Sequence, residues 1–150
     1  MEMLALATGG HGAFAVSSDE LDRGGVSYTV DTLERLKARH PGDELLLILG
    51  PDAFLGLPTW REPKRILELA GIVAVERESL DDFSGTVSRA ALEPLLGRDR
   101  LDRVIAERVR LPAIGIRASD LRAAVAAGKS IRYRTPRAVE QYIAAQGLYR

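Results

Sequence analysis

The stretch "ELLLILGPDAFLGLPTW", residues 44–60, decides the fold class of this chain. It begins with a continuous apolar run, 44–50, between turn signals, which is typical of a β-strand buried on both faces. A short polar loop follows and ends at Trp60, the single tryptophan of the chain. Because ligands of open α/β sheets bind beyond the carboxyl ends of the strands, this loop is a candidate binding segment.

Predicted helices and strands alternate along the rest of the chain. Helices are predicted at 1–9, 28–39, 64–71, 84–97, 120–128 and 136–147, and strands at 13–17, 72–77 and within 108–116. The candidate N-caps are Ser27 or Thr29 for the helix at 28–39 and Ser119 for the helix at 120–128. Strands alternating with helices of about ten residues predict βαβ units, and therefore an α/β fold with a mostly parallel sheet. We expect one domain, 1–150, with 76–90 as its mobile loop.

The composition excludes several classes of protein. The 150 residues are 46% hydrophobic, and 21 basic side chains balance 21 acidic ones. No global field therefore favours a nucleic acid or a membrane surface as partner, and the two charges of the basic segment 130–136 are too few to indicate nucleic acid. The sequence has no cysteine and two histidines, which leaves few ligands for zinc. No apolar run approaches the ~18 residues of a membrane span, so a cytoplasmic location is expected.

Two side chains of the loop after the apolar run could contact a nucleotide. Asp52 could accept hydrogen bonds from ribose hydroxyls, or it could only begin a turn after Pro51. Trp60 could stack on a flat heteroaromatic ring, because its face is large and electron-rich, or it could be a core tryptophan. The residue spacing alone favours the structural alternative for both.

Two helix N-termini are candidate anion sites. In "RASDLR", 117–122, a helix that begins at Ser119 would direct free N–H groups and the positive end of its dipole outward, and Arg117 and Arg122 would add charge. The alternative is an ordinary capped helix with solvated arginines. In "SYT", 27–29, another helix N-terminus could receive a carboxylate, or it could be a plain N-cap.

Taken together, these segments resemble the bacterial nicotinate-mononucleotide adenylyltransferases of the α/β nucleotidyltransferase superfamily. The motifs that carry the resemblance are "ELDRGGVSYTVDTL" (20–33), "LILGPDAFLGLPTW" (47–60), "IRASDLR" (116–122) and "GKSIRYRTPRAVEQYIAAQGLYR" (128–150). The pairing of "SYTVDTL" with "LPTW" is characteristic of the pyridine-nucleotide branch. The resemblance implies a Rossmann-like, doubly wound sheet. It also implies a reaction of NAD biosynthesis, in which ATP and nicotinate mononucleotide give deamido-NAD and pyrophosphate.

The resemblance also assigns roles to individual residues. Trp60 would stack on the nicotinate ring, and the backbone amide of Arg61 and Thr29 would hold the nicotinate carboxylate. This arrangement discriminates chemically, since a carboxylate needs donors only, whereas nicotinamide presents N–H groups of its own. The family's phosphate-binding motif falls on 116–122, so Ser119 and Arg122 would bind ATP phosphates. Gly50 and Asp52 would line the nucleotide site, with Asp52 near a ribose, and Mg²⁺ would enter with ATP.

The sequence departs from the family pattern at two places. In "IRASDLR", Arg117 and Ala118 replace the usual pair of small hydroxyl residues, and Arg117 could either add charge or crowd the site. The family also begins with a strand and "GGTFDPxHxGH", which nothing in these residues matches. The "GGHG" at 9–12 lies at the end of a helix, so we reject His11 as the catalytic histidine and assign no catalytic residue.

The missing motif leads to three expectations. The chain should lack the family's first strand-helix segment, whose strand would pair beside the apolar run, and it would then be a fragment of a longer coding region. Adenylyl transfer depends on stabilising phosphate charge, so this chain should turn over weakly or not at all. The alternatives are a non-catalytic module that binds nicotinate mononucleotide, and an adenylyltransferase for another acceptor.

Overall fold

The computed structural model describes residues 1–77, 89–112 and 114–150. Its helices are α1 (Glu2–Thr8), α2 (Asp19–Arg23), α3 (Thr29–Arg39), α4 (Pro51–Gly56), α5 (Pro63–Leu69), α6 (Arg89–Leu96), α7 (Arg98–Ala106), α8 (Ala118–Ala126) and α9 (Arg137–Ala145), and its strands are β1 (Leu46–Leu49), β2 (Gly71–Arg77) and β3 (Val109–Leu111). Most of the segment expected to be a mobile loop lies outside the described residues. None of the helices in the described part of the chain has the length and hydropathy that a bilayer crossing requires.

The chain forms two compact units. One unit consists of Met1–Asp22 together with Ile114–Arg150, and the other is Arg23–Ala113. The sheet belongs to the second unit. The expectation of a single domain stays a prediction.

The three strands form a parallel sheet in the order β1-β2-β3. Leu46 of β1 lies opposite Gly71 of β2, and Val75 of β2 lies opposite Val109 of β3. Helices connect the strands, as parallel pairing requires, because a parallel partner can be reached only by a crossover. The predicted α/β class with a parallel sheet is confirmed.

Gly71 begins β2 beside the start of β1. Its N–H donates to the Leu45 carbonyl at 2.8 Å. A Cβ atom at this position would lie 2.8 Å from Cδ2 of Leu46, which is closer than carbon atoms pack. A larger residue would therefore require the exposed end of the Leu46 side chain to move.

The core of the Arg23–Ala113 unit lies between the sheet and its helices. α3 packs against α5, and α6 packs against α7. The side chains that are fully buried here include Phe54, Leu57, Ile66, Leu92 and Leu101. Arg100 of α7 donates to the carbonyl oxygens of Leu67 and Ala70 at 3.1 and 3.2 Å. These bonds satisfy carbonyl groups at the end of α5 that have no partner within the helix.

The other unit has a smaller core. It consists of Ile131, Val139 and Ile143, and α1 packs against α9. The Tyr142 hydroxyl of α9 donates to the Glu2 carboxylate of α1. This hydrogen bond raises the pKa of the Tyr142 phenol above its ordinary value, and desolvation and the negative charge of Glu2 act in the same direction.

β1 differs from its prediction in burial. Leu49 is 4% exposed, but Leu46 and Ile48 are 58% and 68% exposed, so the strand is not buried on both faces. The reason is that Leu46 and Ile48 are two residues apart and so point to the same face of the strand, which is left open to solvent. Only the alternate side chains that face α4 and the core are sheltered from water.

The predicted strand at 13–17 is also wrong. These residues follow a turn in which the Phe14 N–H donates to the His11 carbonyl at 3.1 Å, and Phe14 is 63% exposed. A strand needs a partner for its ladder of hydrogen bonds, and no strand of the described residues pairs with this segment. A short apolar run such as 13–17 does not define a strand by itself when no neighbouring strand pairs with it.

The predicted helix starts are shifted by one or two positions. Tyr28 is the N-cap of α3, Arg117 is the N-cap of α8, and Pro136 precedes α9 as its N-cap. None of these caps is bonded through a side chain. Ser119 is therefore the second residue of α8 and not its cap, and Thr29 is the first residue of α3.

The one-sided burial of β1 predicts opposite outcomes for neighbouring substitutions. Leu49→Ala should lower the free energy of unfolding by about 2–5 kcal/mol, because it opens a cavity in the core. Ile48→Ala should change it by less than about 0.5 kcal/mol, since the side chain already contacts water. Urea unfolding followed by circular dichroism measures both. Equal losses from the two variants would contradict the exposure of this face.

Candidate functional site

The segment after β1 was expected to be a short loop, but it is helical: it consists of α4 and a 3-10 turn, Leu57–Thr59, because Pro51 starts a helix directly after the strand. The start of this segment presents a glycine backbone and an exposed carboxylate. Gly50 is the N-cap of α4, and a Cβ atom placed on it would meet no atom within 4 Å. Pro51 is buried at the first position of the helix, and Asp52 is exposed in the first turn. Gly50 and Asp52 therefore lie where the sequence places them, directly beyond the carboxyl end of a strand.

Trp60 ends the short 3-10 turn formed by Leu57–Thr59. The backbone N–H of Trp60 donates to the Leu57 carbonyl at 3.1 Å, and its side chain is half-buried against the core. The indole lies beside Gly56, because a Cβ atom on that residue would be 3.6 Å from Nε1 of Trp60. Trp60 is thus partly a core residue, and the rest of its ring is accessible.

The start of α3 supplies unpaired donors. Tyr28 has an extended backbone, and its carbonyl accepts the first helical bond, from the N–H of Thr32 at 3.3 Å. The N–H groups of the first turn before Thr32 therefore have no carbonyl partner within the helix. Thr29 is half-buried at this turn. A helix N-terminus of this kind favours negative charge.

A cation over an aromatic ring joins these two segments. The guanidinium carbon of Arg61 lies 4.6 Å from the ring centroid of Tyr28, and Nε of Arg61 is 3.6 Å from a carboxylate oxygen of Glu62. The sequence interpretation missed this contact and gave Arg61 only a backbone role. The available signal was an arginine directly after the tryptophan and a tyrosine directly before Thr29.

The backbone turns sharply after Arg61. Glu62 adopts a left-handed conformation, with φ 51° and ψ 56°, and is the N-cap of α5. Nearby, Arg65 of α5 bonds to Glu34 of α3 at 3.0 Å and to Glu68 at 2.9 Å. These hydrogen bonds to Glu68 and Glu34 raise the pKa of the Arg65 guanidinium. The pair between Arg65 and Glu34 is a second link between α3 and α5.

The N-terminus of α8 lies in the other unit. Arg117 precedes the helix in an extended conformation, and Asp120 and Leu121 donate their N–H groups to its carbonyl at 3.1 Å each. The Ser119 hydroxyl lies 3.3 Å from Oδ1 of Asp120. Ser119 and Arg122 are both exposed, so this end of the helix presents a hydroxyl, free amides and a guanidinium to solvent.

His11 and the acidic side chains are of the types that can act as catalytic or metal-binding groups. His11 is exposed in the turn after α1, with its ring centroid 4.6 Å from that of Phe14. In the described part of the chain, no three histidine, aspartate or glutamate side chains lie close enough to hold a metal ion. The described residues therefore offer no cage made of protein ligands alone.

Comparisons with known proteins agree with this architecture. A scan against protein-family models finds no match. The chain is 41% identical over 151 aligned residues to a probable nicotinate-nucleotide adenylyltransferase of Thermomicrobium roseum, covering 100% of this chain and 66% of the relative. It is 39% identical to a protein of the same description from Thermus thermophilus, covering 99% of this chain and 71% of the relative.

Solved structures share the fold at lower identity. The nicotinic acid mononucleotide adenylyltransferase of Plasmodium falciparum, complexed with APC, superposes with a TM-score of 0.56 at 16% identity. The match covers 84% of this chain and 60% of that one. The same enzyme complexed with NaAD gives a TM-score of 0.55, with coverage of 83% and 58%.

The parallel sheet, its flanking helices and this likeness define an α/β nucleotidyltransferase fold. The identities of 37–41% to relatives matched along nearly the whole of this chain are more specific. The chain belongs to the nicotinate-nucleotide adenylyltransferase family. It spans about two thirds of the length of the relatives it matches.

The contact between Gly56 and the indole predicts how Trp60 responds to substitution. Gly56→Val should push the ring outward, because the added methyl groups extend beyond a Cβ atom that already touches Nε1. We expect red-shifted fluorescence and stronger quenching by acrylamide. Gly50→Ala is the matched control, since its Cβ atom meets open space and its backbone has negative φ. Identical spectra for the two variants would contradict the described position of the indole.

Proposed function

We propose that the residues of this chain serve adenylyl transfer from ATP to nicotinate mononucleotide, which gives deamido-NAD and pyrophosphate in NAD biosynthesis. The observation that carries the proposal is the contact of Arg61 with Tyr28. Arg61 follows Trp60 and Tyr28 precedes Thr29, so this contact brings the segment of Trp60 close to the segment of Thr29. Two segments that are distant in sequence therefore meet where a flat ring and a carboxylate could be bound together.

The acceptor would be held by three kinds of interaction. The exposed part of the Trp60 ring offers a stacking face for the nicotinate ring. The Thr29 hydroxyl, the first-turn amides of α3 and the Arg61 amide offer donors for its carboxylate. The backbone amides can only donate, and the Thr29 hydroxyl can donate as well, so a carboxylate would be favoured over a carboxamide, whose own N–H groups need acceptors.

The residues proposed to contact the nucleotide fall on two segments of the chain, one directly after β1 and the other at the start of α8. We propose that Gly50 lets a ligand approach the backbone closely and that Asp52 accepts hydrogen bonds from a ribose. Ser119 and Arg122 would bind ATP phosphates at the N-terminus of α8, and Arg117 would add positive charge. Because Asp120 lies in the same first turn, the arginines must offset its repulsion of phosphate.

The reaction needs no covalent intermediate with the protein. A phosphate oxygen of nicotinate mononucleotide attacks the α-phosphorus of ATP, the bond to the β-phosphate oxygen breaks, and pyrophosphate leaves in line. The contribution of this chain would be to orient the acceptor and to neutralise phosphate charge. Nucleotidyl transfer of this kind is generally dependent on a divalent ion, and we propose Mg²⁺. It would enter with the ATP phosphates, which usually supply several of its ligands.

The binding half of this proposal can be tested through the single tryptophan. We expect nicotinate mononucleotide to quench Trp60 fluorescence in a saturable manner. Thr29→Val should weaken the apparent affinity about ten-fold, because a hydrogen bond to a charged group is lost. Thr8→Val is the control, since the Thr8 hydroxyl donates to the Leu4 carbonyl in α1. Affinity that is unchanged in Thr29→Val would contradict the role of its hydroxyl.

Turnover by these residues alone is expected to be weak. The two histidines of the chain, His11 and His40, do not form an HxGH motif. One donor that stabilises transition-state charge is typically worth about 3–4 kcal/mol, so the donors left here should support little rate. A coupled assay of pyrophosphate release on the purified chain measures this. Rates of ~1–1000 s⁻¹, the usual range for enzymes, would contradict the expectation. Quenching of Trp60 without product would identify a binding module.

A further inference from the structure

We infer that the side chain of Arg61, held over the ring of Tyr28, selects an acceptor that carries a carboxylate. Arg61 is then a specificity-determining residue through its guanidinium as well as its amide, and Tyr28 is the residue that positions it. The inference rests on the proposed function, because it concerns the same acceptor site. It adds a charge contribution to a site whose other groups are neutral donors.

The geometry fixes where this cation can lie. A guanidinium carbon 4.6 Å from the centroid of Tyr28 is within the ~6 Å at which a cation is attracted to an aromatic face. The side chain of Arg61 is 51% exposed, so without the ring it would sample many conformations in solvent. Tyr28 thus holds the charge next to the first turn of α3, where Thr29 and the unpaired amides lie.

The guanidinium keeps donors for a ligand. Its nearest carboxylate in the described residues is that of Glu62, 3.6 Å from Nε, and both side chains are about half exposed. Exposed ion pairs of this kind are weak, so a ligand carboxylate can replace Glu62 as the partner. The acidic side chain in the first turn of α3 is Asp31, and it faces Arg23, whose Nη1 lies 3.8 Å from it. The carboxylate that lies within 4 Å of Arg61 in the described residues is therefore an exposed one that holds the guanidinium weakly.

This arrangement discriminates by charge and not only by hydrogen bonding. Nicotinate and nicotinamide mononucleotides differ at the ring substituent by one negative charge. A fixed cation attracts the carboxylate and gains little from the neutral amide. The attraction weakens as salt rises, because an exposed pair is screened over a Debye length of ~10 Å at 0.1 M.

The experiment measures the ratio of the two apparent dissociation constants by quenching of Trp60. In Arg61→Gln we expect the preference for the nicotinate nucleotide to fall about five-fold, with nicotinamide affinity unchanged, and its dependence on salt to diminish. Tyr28→Leu should give the same fall, whereas Tyr28→Phe keeps the aromatic face and should behave as the unsubstituted chain. Arg89→Gln is the matched control, because it removes an equal charge that is already paired with a carboxylate, that of Asp102, and neither residue belongs to α3 or α5.

Each outcome decides between the alternatives. An unchanged ratio in Arg61→Gln, with normal binding in the unsubstituted chain, would overturn the inference alone. A fall in Arg61→Gln but not in Tyr28→Leu would overturn the positioning role of Tyr28. Equal weakening of both nucleotides in Arg61→Gln would indicate a merely structural role and would also overturn it. Absence of quenching by either nucleotide in the unsubstituted chain would overturn the proposed function, and this inference with it.

Discussion

The parallel pairing of β1 with β2 is the constraint on which the rest of the structure depends. A chain that leaves β1 must cross over the sheet before it can enter β2 in the same direction. The crossover consists of α4, the short 3-10 turn and α5, and it is held down by the buried side chains of Phe54, Leu57 and Ile66. Trp60 and Arg61 lie in the middle of this crossover. Their position is therefore set by core packing and not by the loop alone.

The sequence was sufficient for the fold class because its strongest signals are local. The apolar run of β1, the helix that begins after Tyr28 and the strand at Gly71–Arg77 are each visible in a short window. The exposure of Ile48 and the lack of a described strand beside 13–17 could not be predicted, because both depend on which other elements are present. An apolar run looks the same whether one of its faces is covered or two.

The candidate site also has a part that local sequence signals indicate and a part that depends on the packing of other elements. Gly50 and Asp52 could be proposed as site residues from the sequence because they directly follow a strand, and Trp60 because it ends the segment that begins there. The contact of Arg61 with Tyr28 could not be predicted, because one residue precedes β1 in the sequence and the other follows it. The contact also requires the packing of α3 on α5. The resemblance to a family brought both segments into one site, but it gave no information about this side chain.

The helix starts share a property that propensity arguments miss. Serine and threonine were expected to cap α3 and α8, yet Tyr28 and Arg117 occupy those positions without a side-chain bond to the helix. A good cap typically contributes about 0.5–2 kcal/mol, so this choice lowers helix stability. It also leaves the first amides of both helices without a side-chain cap. A helix that is capped poorly by its own residues is one that can be capped by a bound anion.

The left-handed backbone of Glu62 has a consequence for how the chain could evolve or be engineered. A residue with a β-carbon is strained in this conformation by roughly 1–2 kcal/mol, and glycine would relieve the strain. Glycine would also admit other conformations at the joint between Arg61 and α5, and the loop would lose its fixed geometry. Thermal stability and binding specificity therefore oppose each other at this position. A selection for thermostable variants would favour Glu62→Gly, which would also make the geometry of the site less well defined.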